Sequence, residues 1–549
     1  MTDESGLSRR RLLGAAGTVG AAATLGGVSS LAAFTDEETF ANNQLVAGEL
    51  DLTVGWAEYY ADRSFDGEAS ARAAVSGATR QERFPEGGVD ADPCAALGDV
   101  PDDLDAGGEP RPLLDLGDVK PGDAGAVTFD LALCDNPGYL WLDARLRGSS
   151  DAGFTEPERA DPDEYDDTAP PTEGRESVLA VENDRLTVLL SFGSSGLLTL
   201  LPWTYTFPDG TLADVLFSEF FTLQDGRASG DPTVSDPAFV PSFPRRGVPG
   251  TAYDATATTL VDGATVEVTR TFTLDPVDPL LAVDYEFAVT GGGPVDLAVT
   301  QFVDYDLAGL AGDTATFRRD DARGFDYVEQ VQPDALGTGE DLYAGFGAAR
   351  RSDAHDVDAA RGPFDRVVAG DALSGGDAFG PGDPQFALAY SLGSLATGET
   401  ATLESAFALA RSPRALKANL LKPRVPFGGG DLADAVRTTV WYDADGDGTP
   451  DADERVVFAG SLAQLLALAT TGDGVALDGG PATAFDEARG DPAAAARDCF
   501  AAAPATHALG LRWALPVDHA NEIQGDSVGF DVGFYAEQCR HNDGTGGVR

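Results

Sequence analysis

Apolar and polar side chains alternate with period two along much of this chain. Leu50, Leu52, Val54 and Trp56 alternate with Asp51, Thr53 and Gly55, and Val127, Phe129, Leu131 and Leu133 with Thr128, Asp130 and Ala132. Val528, Phe530, Val532 and Phe534 repeat the pattern near the C-terminus. Between them, 266–274, 281–287, 295–299 and 386–390 alternate in the same way. Period two marks strands with one buried face, and many such strands predict an all-β antiparallel sandwich. Helical pattern is scarce. Asp431 is positioned to cap a short helix through Val436, and Ser461 another whose Leu462, Leu465 and Leu466 share a face.

Two breaks interrupt this texture. Residues 161–175 form an acidic, proline-bearing stretch, and 413–430 carry Pro413, Pro423, Pro426 and three consecutive glycines. Both predict linkers. They separate an inserted all-β domain (176–412) from two outer parts (34–160 and 431–543), with a short tail at 544–549. A large insertion is tolerated when it enters at a surface loop, because closure entropy grows only logarithmically with length.

The first 33 residues predict an export signal. Arg9 and Arg10 stand before Leu12 and Leu13, followed by an apolar stretch rich in Gly, Ala, Ser and Thr. Paired arginines ahead of a weakly apolar core define the twin-arginine type, which exports folded proteins. The stretch is too weakly apolar for a stable membrane span, so no transmembrane segment is expected in the mature chain, which would begin near Phe34.

Charge sharpens that picture. The chain carries 91 Asp plus Glu against 37 Lys plus Arg, a formal charge of −54, and its only lysines are Lys120, Lys417 and Lys422. Acid spread along the whole length predicts adaptation to molar salt, where the Debye length falls to about 3 Å and self-repulsion is screened. Nucleic acid is excluded as a partner, since phosphate contacts need clustered Lys and Arg. Four cysteines, Cys94, Cys134, Cys499 and Cys539, predict two disulfides in an exported protein. Their 40-residue spacings favour Cys94–Cys134 and Cys499–Cys539 among the three connectivities.

The outer parts carry a resemblance. Ala33 to Phe40, continuing through Leu45-Val46-Ala47-Gly48-Glu49-Leu50-Asp51-Leu52, resembles the mature start of TasA/camelysin-family proteins, exported biofilm-matrix fibre proteins with SipW-type leaders. Asp118 to Asp123, Cys134 to Tyr139, Leu515 to Glu522, Asp531 to Tyr535 and Glu537 to Asp543 resemble the family's later blocks, in order. The chain is most similar to haloarchaeal members, and departs from bacterial ones in its twin-arginine leader and its insert. The resemblance implies a jelly-roll-like sandwich that assembles into extracellular fibres. The physical route is addition of the strand from Phe34 to Leu52, with Phe34, Phe40, Leu50 and Leu52 as anchors, to the sheet edge of another copy. The alternative is that this segment is the first strand of its own sheet.

One segment has the spacing of a calcium loop. Asp443, Asp445, Asp447 and Asp451 stand at positions 1, 3, 5 and 9, Gly448 at 6, the Thr449 carbonyl at 7 and Glu454 at 12. Its flanks are strand-like, so the loop is expected to stiffen a hairpin. No catalytic constellation accompanies it. The four histidines form no zinc-protease pair, and no nucleophile elbow, P-loop or dinucleotide fingerprint occurs. The expected function is therefore structural, at the cell surface or in an extracellular matrix, and not enzymatic. The alternative is a carbohydrate-binding or glycoside-hydrolysing insert, in which Trp203 and Tyr205 stack on a sugar and Asp304 and Asp306 supply carboxylates.

Overall fold

The computed structural model describes residues 35–39, 52–61, 94, 114–117, 119–150, 178–191, 203–215, 218–226, 237, 239, 247, 249–307, 312–321, 323–425, 431–445, 448–480, 485, 487, 497–517, 523, 526–540, 542 and 544. Arg9, Arg10, Phe34, Phe40, Leu50, Asp447 and the stretch 161–175 lie outside them. The chain is all-β, as its alternation predicts, and every sheet is antiparallel.

Two five-stranded sheets build the outer sandwich. One runs Leu52–Ala61, Ala124–Leu133, His507–Ala514, Arg437–Tyr442 and Val456–Ser461. The other centres on Ser527–Gln538, which pairs on one side with Gly138–Ser150 and then Val475–Leu477. Its other side is covered by two short strands: Thr35–Thr39 opposite Gly533 to Glu537, and Leu114–Gly117 opposite Ser527 to Phe530. Thus both ends of the sequence contribute to one sandwich, and Phe129 meets Phe534 edge-on across it at 5.2 Å. Cys94–Cys134 and Cys499–Cys539 are both bonded as expected, with Cα atoms 5.5 and 6.3 Å apart.

The insert folds into an eight-stranded sheet and two four-stranded sheets around a second core. The eight-stranded sheet runs Tyr253–Val261, Ala264–Leu274, Leu280–Gly291, Thr400–Ala410, Leu342–Ala348, Phe325–Gln332, Asp313–Asp320 and Ala378–Gly382. One four-stranded sheet is Ser218–Asp225, Val295–Asp304, Pro384–Leu395 and Ala354–Ala359; the other spans Val178–Glu182 to Leu212–Asp214.

The expected linker at 413–430 is corrected. Pro413–Leu421 is a helix, buried from Leu416 onward, and Lys422–Arg424 continues it as a 3-10 turn. Pro413 starts this helix rather than breaking it, because a proline in the first turn loses no hydrogen bond and Ser412 accepts from the Ala415 N–H at 3.2 Å. Leu462–Thr470 is a second buried helix; the cap expected at Ser461 forms, and Gln464 completes it as a capping box. It is apolar all round because it lies in the core shared by the outer sandwich and the insert. The other expected helix, Leu432–Ala435, forms, but Asp431 makes no side-chain cap bond; the Asp526 carboxylate accepts from the N–H groups of Asp431 and Leu432 instead.

Strand Thr400–Ala410 shows how the two cores join. Leu403, Phe407 and Leu409 face the insert core, while Ala406, Ala408 and Ala410 join the outer core. Small side chains there let the Pro413–Leu421 helix sit close. Gly345 on the adjacent strand serves the same approach, since a Cβ there would lie 3.0 Å from Leu416 and Leu420 side chains.

Polar contacts lock the junction. Two of the three lysines are buried in it. Lys422 Nζ lies 2.9 Å from Asp275 and 3.0 Å from Asp278 of the insert, and also contacts Asp434 of the outer part. Lys417 Nζ lies 2.6 Å from Asp320, which also holds Arg323 at 2.8 Å. Arg323 in turn donates to the Leu468 and Gly474 carbonyls of the outer part.

Candidate metal centre

The 443–454 loop joins the strands Arg437–Tyr442 and Val456–Ser461, as its flanks predict. Asp443 is buried, and its Oδ2 accepts from the Gly448 N–H at 3.0 Å. Gly448 has φ +72°, the left-handed turn that position 6 of a calcium loop requires and that glycine adopts without steric cost. Glu454 closes the loop, with Oε1 accepting from Ala444 N–H at 2.7 Å and Oε2 from Asp451 N–H at 2.9 Å. Asp443, Asp445 and Glu454 each offer an oxygen within 4.8 Å of the others. Asp451 is exposed and Thr449 half-buried. All donors are hard oxygens, the set that suits calcium over softer metals.

The loop's neighbours anchor it. Tyr442 donates its hydroxyl to Glu487 at 3.1 Å and accepts from the Asp478 N–H at 2.7 Å. Arg455 turns away from the loop, to Asp478 at 2.9 Å and the Phe485 carbonyl at 2.6 Å.

A second carboxylate cluster lies in the insert. Asp304 ends the strand Val295–Asp304, Asp306 follows it, and Asp383 precedes the strand Pro384–Leu395; each offers an oxygen within 4.8 Å of the others. Asp304 is 4% exposed, and its Oδ2 accepts from Gln385 Nε2 at 2.7 Å. Asp313, 2% exposed, accepts from Gln330 Nε2 at 2.7 Å, and Gln330 also donates to the Tyr305 carbonyl at 2.9 Å. Burial pushes Asp304 up to about 7, with Asp306 and Asp383 adding to the rise against the Gln385 hydrogen bond. Burial likewise lifts Asp313 to about 7, with the same two carboxylates adding to the rise. Like charges 4.8 Å apart repel by about 3.5 kcal/mol at an effective dielectric near 20.

Thus Asp304 and Asp306 do come together, as the sugar-site expectation required. Trp203 and Tyr205 do not join them. Both are core residues, Trp203 edge-on to Phe407 at 5.3 Å and Tyr205 edge-on to Phe207 at 5.1 Å, so neither offers a face to a sugar. Tyr205 is the buried residue of the short strand Thr204–Thr206, and Trp203 stands just before that strand. Asp313 and Asp383 escaped the sequence reading because Asp313 opens a strand of another sheet and Asp383 lies far along the chain, between the strands Ala378–Gly382 and Pro384–Leu395. The Asp275, Asp278 and Asp434 group did have a sequence signal: Lys417 and Lys422 fall on one short segment in a chain otherwise nearly free of lysine.

No protein-family model and no curated protein matches the chain. Solved structures that resemble it include a bacterial glucoamylase complexed with acarbose, at 9% identity and TM-score 0.30, covering 52% of this chain and 38% of that one. A GalM/aldose epimerase homologue from C. elegans gives 9% identity and TM-score 0.28, covering 43% of this chain and 99% of that one. An α-galactosidase from Geobacillus stearothermophilus in complex with stachyose gives 12% identity and TM-score 0.26, covering 46% and 44%. Among the described residues, no helix is long and apolar enough to cross a membrane. The two disulfides fit an oxidising compartment.

Proposed function

We propose that this chain is an exported, salt-adapted structural protein of the cell surface or extracellular matrix, a subunit that polymerises by strand exchange and is stiffened by calcium at 443–454. One observation carries the assembly reading. Thr35–Thr39 is a five-residue edge strand that covers Gly533 to Glu537 of the Ser527–Gln538 strand. A short strand on a sheet edge, supplied by the extreme N-terminal part of the fold, is the element most easily traded between identical copies. Passing it to a neighbour keeps the same register and the same backbone hydrogen bonds, and frees an identical slot for the next copy. A head-to-tail contact of this kind grows into a fibre where the rotation between copies does not close a ring. The TasA/camelysin resemblance of the outer parts and the twin-arginine leader support the same reading.

Calcium enters as a structural ion. Asp443, Asp445, Asp447, Asp451, Glu454 and the Thr449 carbonyl would hold it, and its charge would offset the repulsion among acids gathered at one hairpin. Electron microscopy of the mature protein at molar KCl, with and without residues 34–43, tests the assembly reading. A sugar-binding or sugar-cleaving insert is the competing reading, supported by the Asp304 and Asp306 carboxylates; screening polysaccharides for binding and reducing-end release separates the two.

A further inference from the structure

We propose that Asp304, Asp306, Asp313 and Asp383 form a second divalent-cation site, a calcium site, inside the inserted domain. It lies where the four-stranded sheet carrying Val295–Asp304 meets the eight-stranded sheet carrying Asp313–Asp320. Backbone pairing brings the pieces together: Asp313 is opposite Gly382, the residue before Asp383, and Val303 is opposite Phe386.

Several buried acids elsewhere in this fold have cationic partners. Lys422 sits among Asp275, Asp278 and Asp434; Lys417 and Arg323 hold Asp320; Arg366 holds Asp356; Arg455 holds Glu487. The Asp304 cluster differs. Among the described residues none of its four carboxylates makes an ion pair, although Asp304 and Asp313 are almost wholly buried. Each of those two keeps one oxygen, Oδ1, without a hydrogen-bond partner, and so does the buried Gln330 Oε1. Their other atoms are fixed: Gln385, held by the Arg361 N–H at 2.6 Å, orients Asp304, and Gln330 orients Asp313. Preset, unpartnered oxygens at a multiply acidic point suit a cation. The donors are carboxylate and amide oxygens with no imidazole or thiolate, the set calcium takes with six to eight ligands. Asp306 and Asp383, half-buried, leave a way in from solvent.

The test counts calcium bound to the full chain by equilibrium dialysis at molar KCl, with calcium chloride alone as the probe. D306N/D383N changes two residues whose side chains hold no other element, so the fold is kept and circular dichroism confirms it. The expected result is one fewer calcium per chain, both in the unsubstituted chain and in E454Q, with the lost ion having a Kd of roughly 10⁻⁴–10⁻³ M, the range of extracellular modules. An unchanged calcium count in D306N/D383N overturns the proposal. Whether E454Q itself loses an ion reports only on the 443–454 loop.

Discussion

Lys422→Met removes the cation from a site built around it. The Lys422 ammonium lies within 3.0 Å of Asp278 and 2.9 Å of Asp275 and also contacts Asp434, and the group is almost wholly out of solvent. Three donors meet three carboxylates, one from the outer part and two from the insert. Methionine keeps the length of the stem but leaves the acids uncompensated. Removing one partner from a buried ion cluster costs about 3–5 kcal/mol, and burial keeps this loss largely unscreened even at molar salt. The direction with pH follows from the acids. Burial holds Asp434 up to about 7 and Asp278 above the usual carboxylate range, even beside the lysine. A carboxyl raised in the folded state favours folding at low pH, and that favour is lost as pH climbs from about 4 through 7. Without the lysine the acids rise further, so the defect of K422M is smallest near pH 5 and largest above pH 7. Urea unfolding at molar KCl, pH 5 to 8, measures it. A loss below about 1 kcal/mol at pH 8, or one that does not change with pH, refutes the reasoning.

Three further outcomes follow from the same structure. Glu454→Gln removes one of the two carboxylate acceptors that hold the Ala444 and Asp451 N–H groups, so hydrogen exchange at these amides speeds up by about fivefold, equivalent to roughly 1 kcal/mol, and calcium no longer slows it. Cys499→Ser opens a loop of 40-residue separation and destabilises the fold by about 4 kcal/mol on loop-entropy grounds, measured by urea unfolding without reductant. Gly345→Val drives a side chain against Leu416 and Leu420 and costs about 1–3 kcal/mol by overpacking, whereas the same change at exposed Gly263, where a Cβ meets nothing within 4 Å, reports only the cost of its left-handed backbone.

The strands were legible because period two survives wherever one face is buried. Ala264–Leu274 buries every second residue, as its sequence reads. Ala124–Leu133 is harder, since Thr128 and Ala132 on its polar face are buried too. The 443–454 hairpin loop was legible because its candidate ligands are local in sequence. What sequence concealed was long-range. A proline in the first helical turn looks like a breaker until its capping Ser412 is seen. The Asp304 cluster draws on 304, 306, 313 and 383, brought together only by strand pairing, and an acid-rich chain hides such a cluster among many solvated aspartates. Trp203 and Tyr205 misled for the converse reason: an aromatic on a strand is equally suited to a core and to a sugar face.

The central claim is that Thr35–Thr39 can leave its own sheet for that of a neighbour. Negative-stain electron microscopy of the mature chain at molar KCl, beside a chain lacking residues 34–43, tests it most directly. The account predicts fibres from the first and monomers from the second, and calcium alone does not restore fibres to the truncated chain. Fibres of equal length and number from the truncated chain would contradict it.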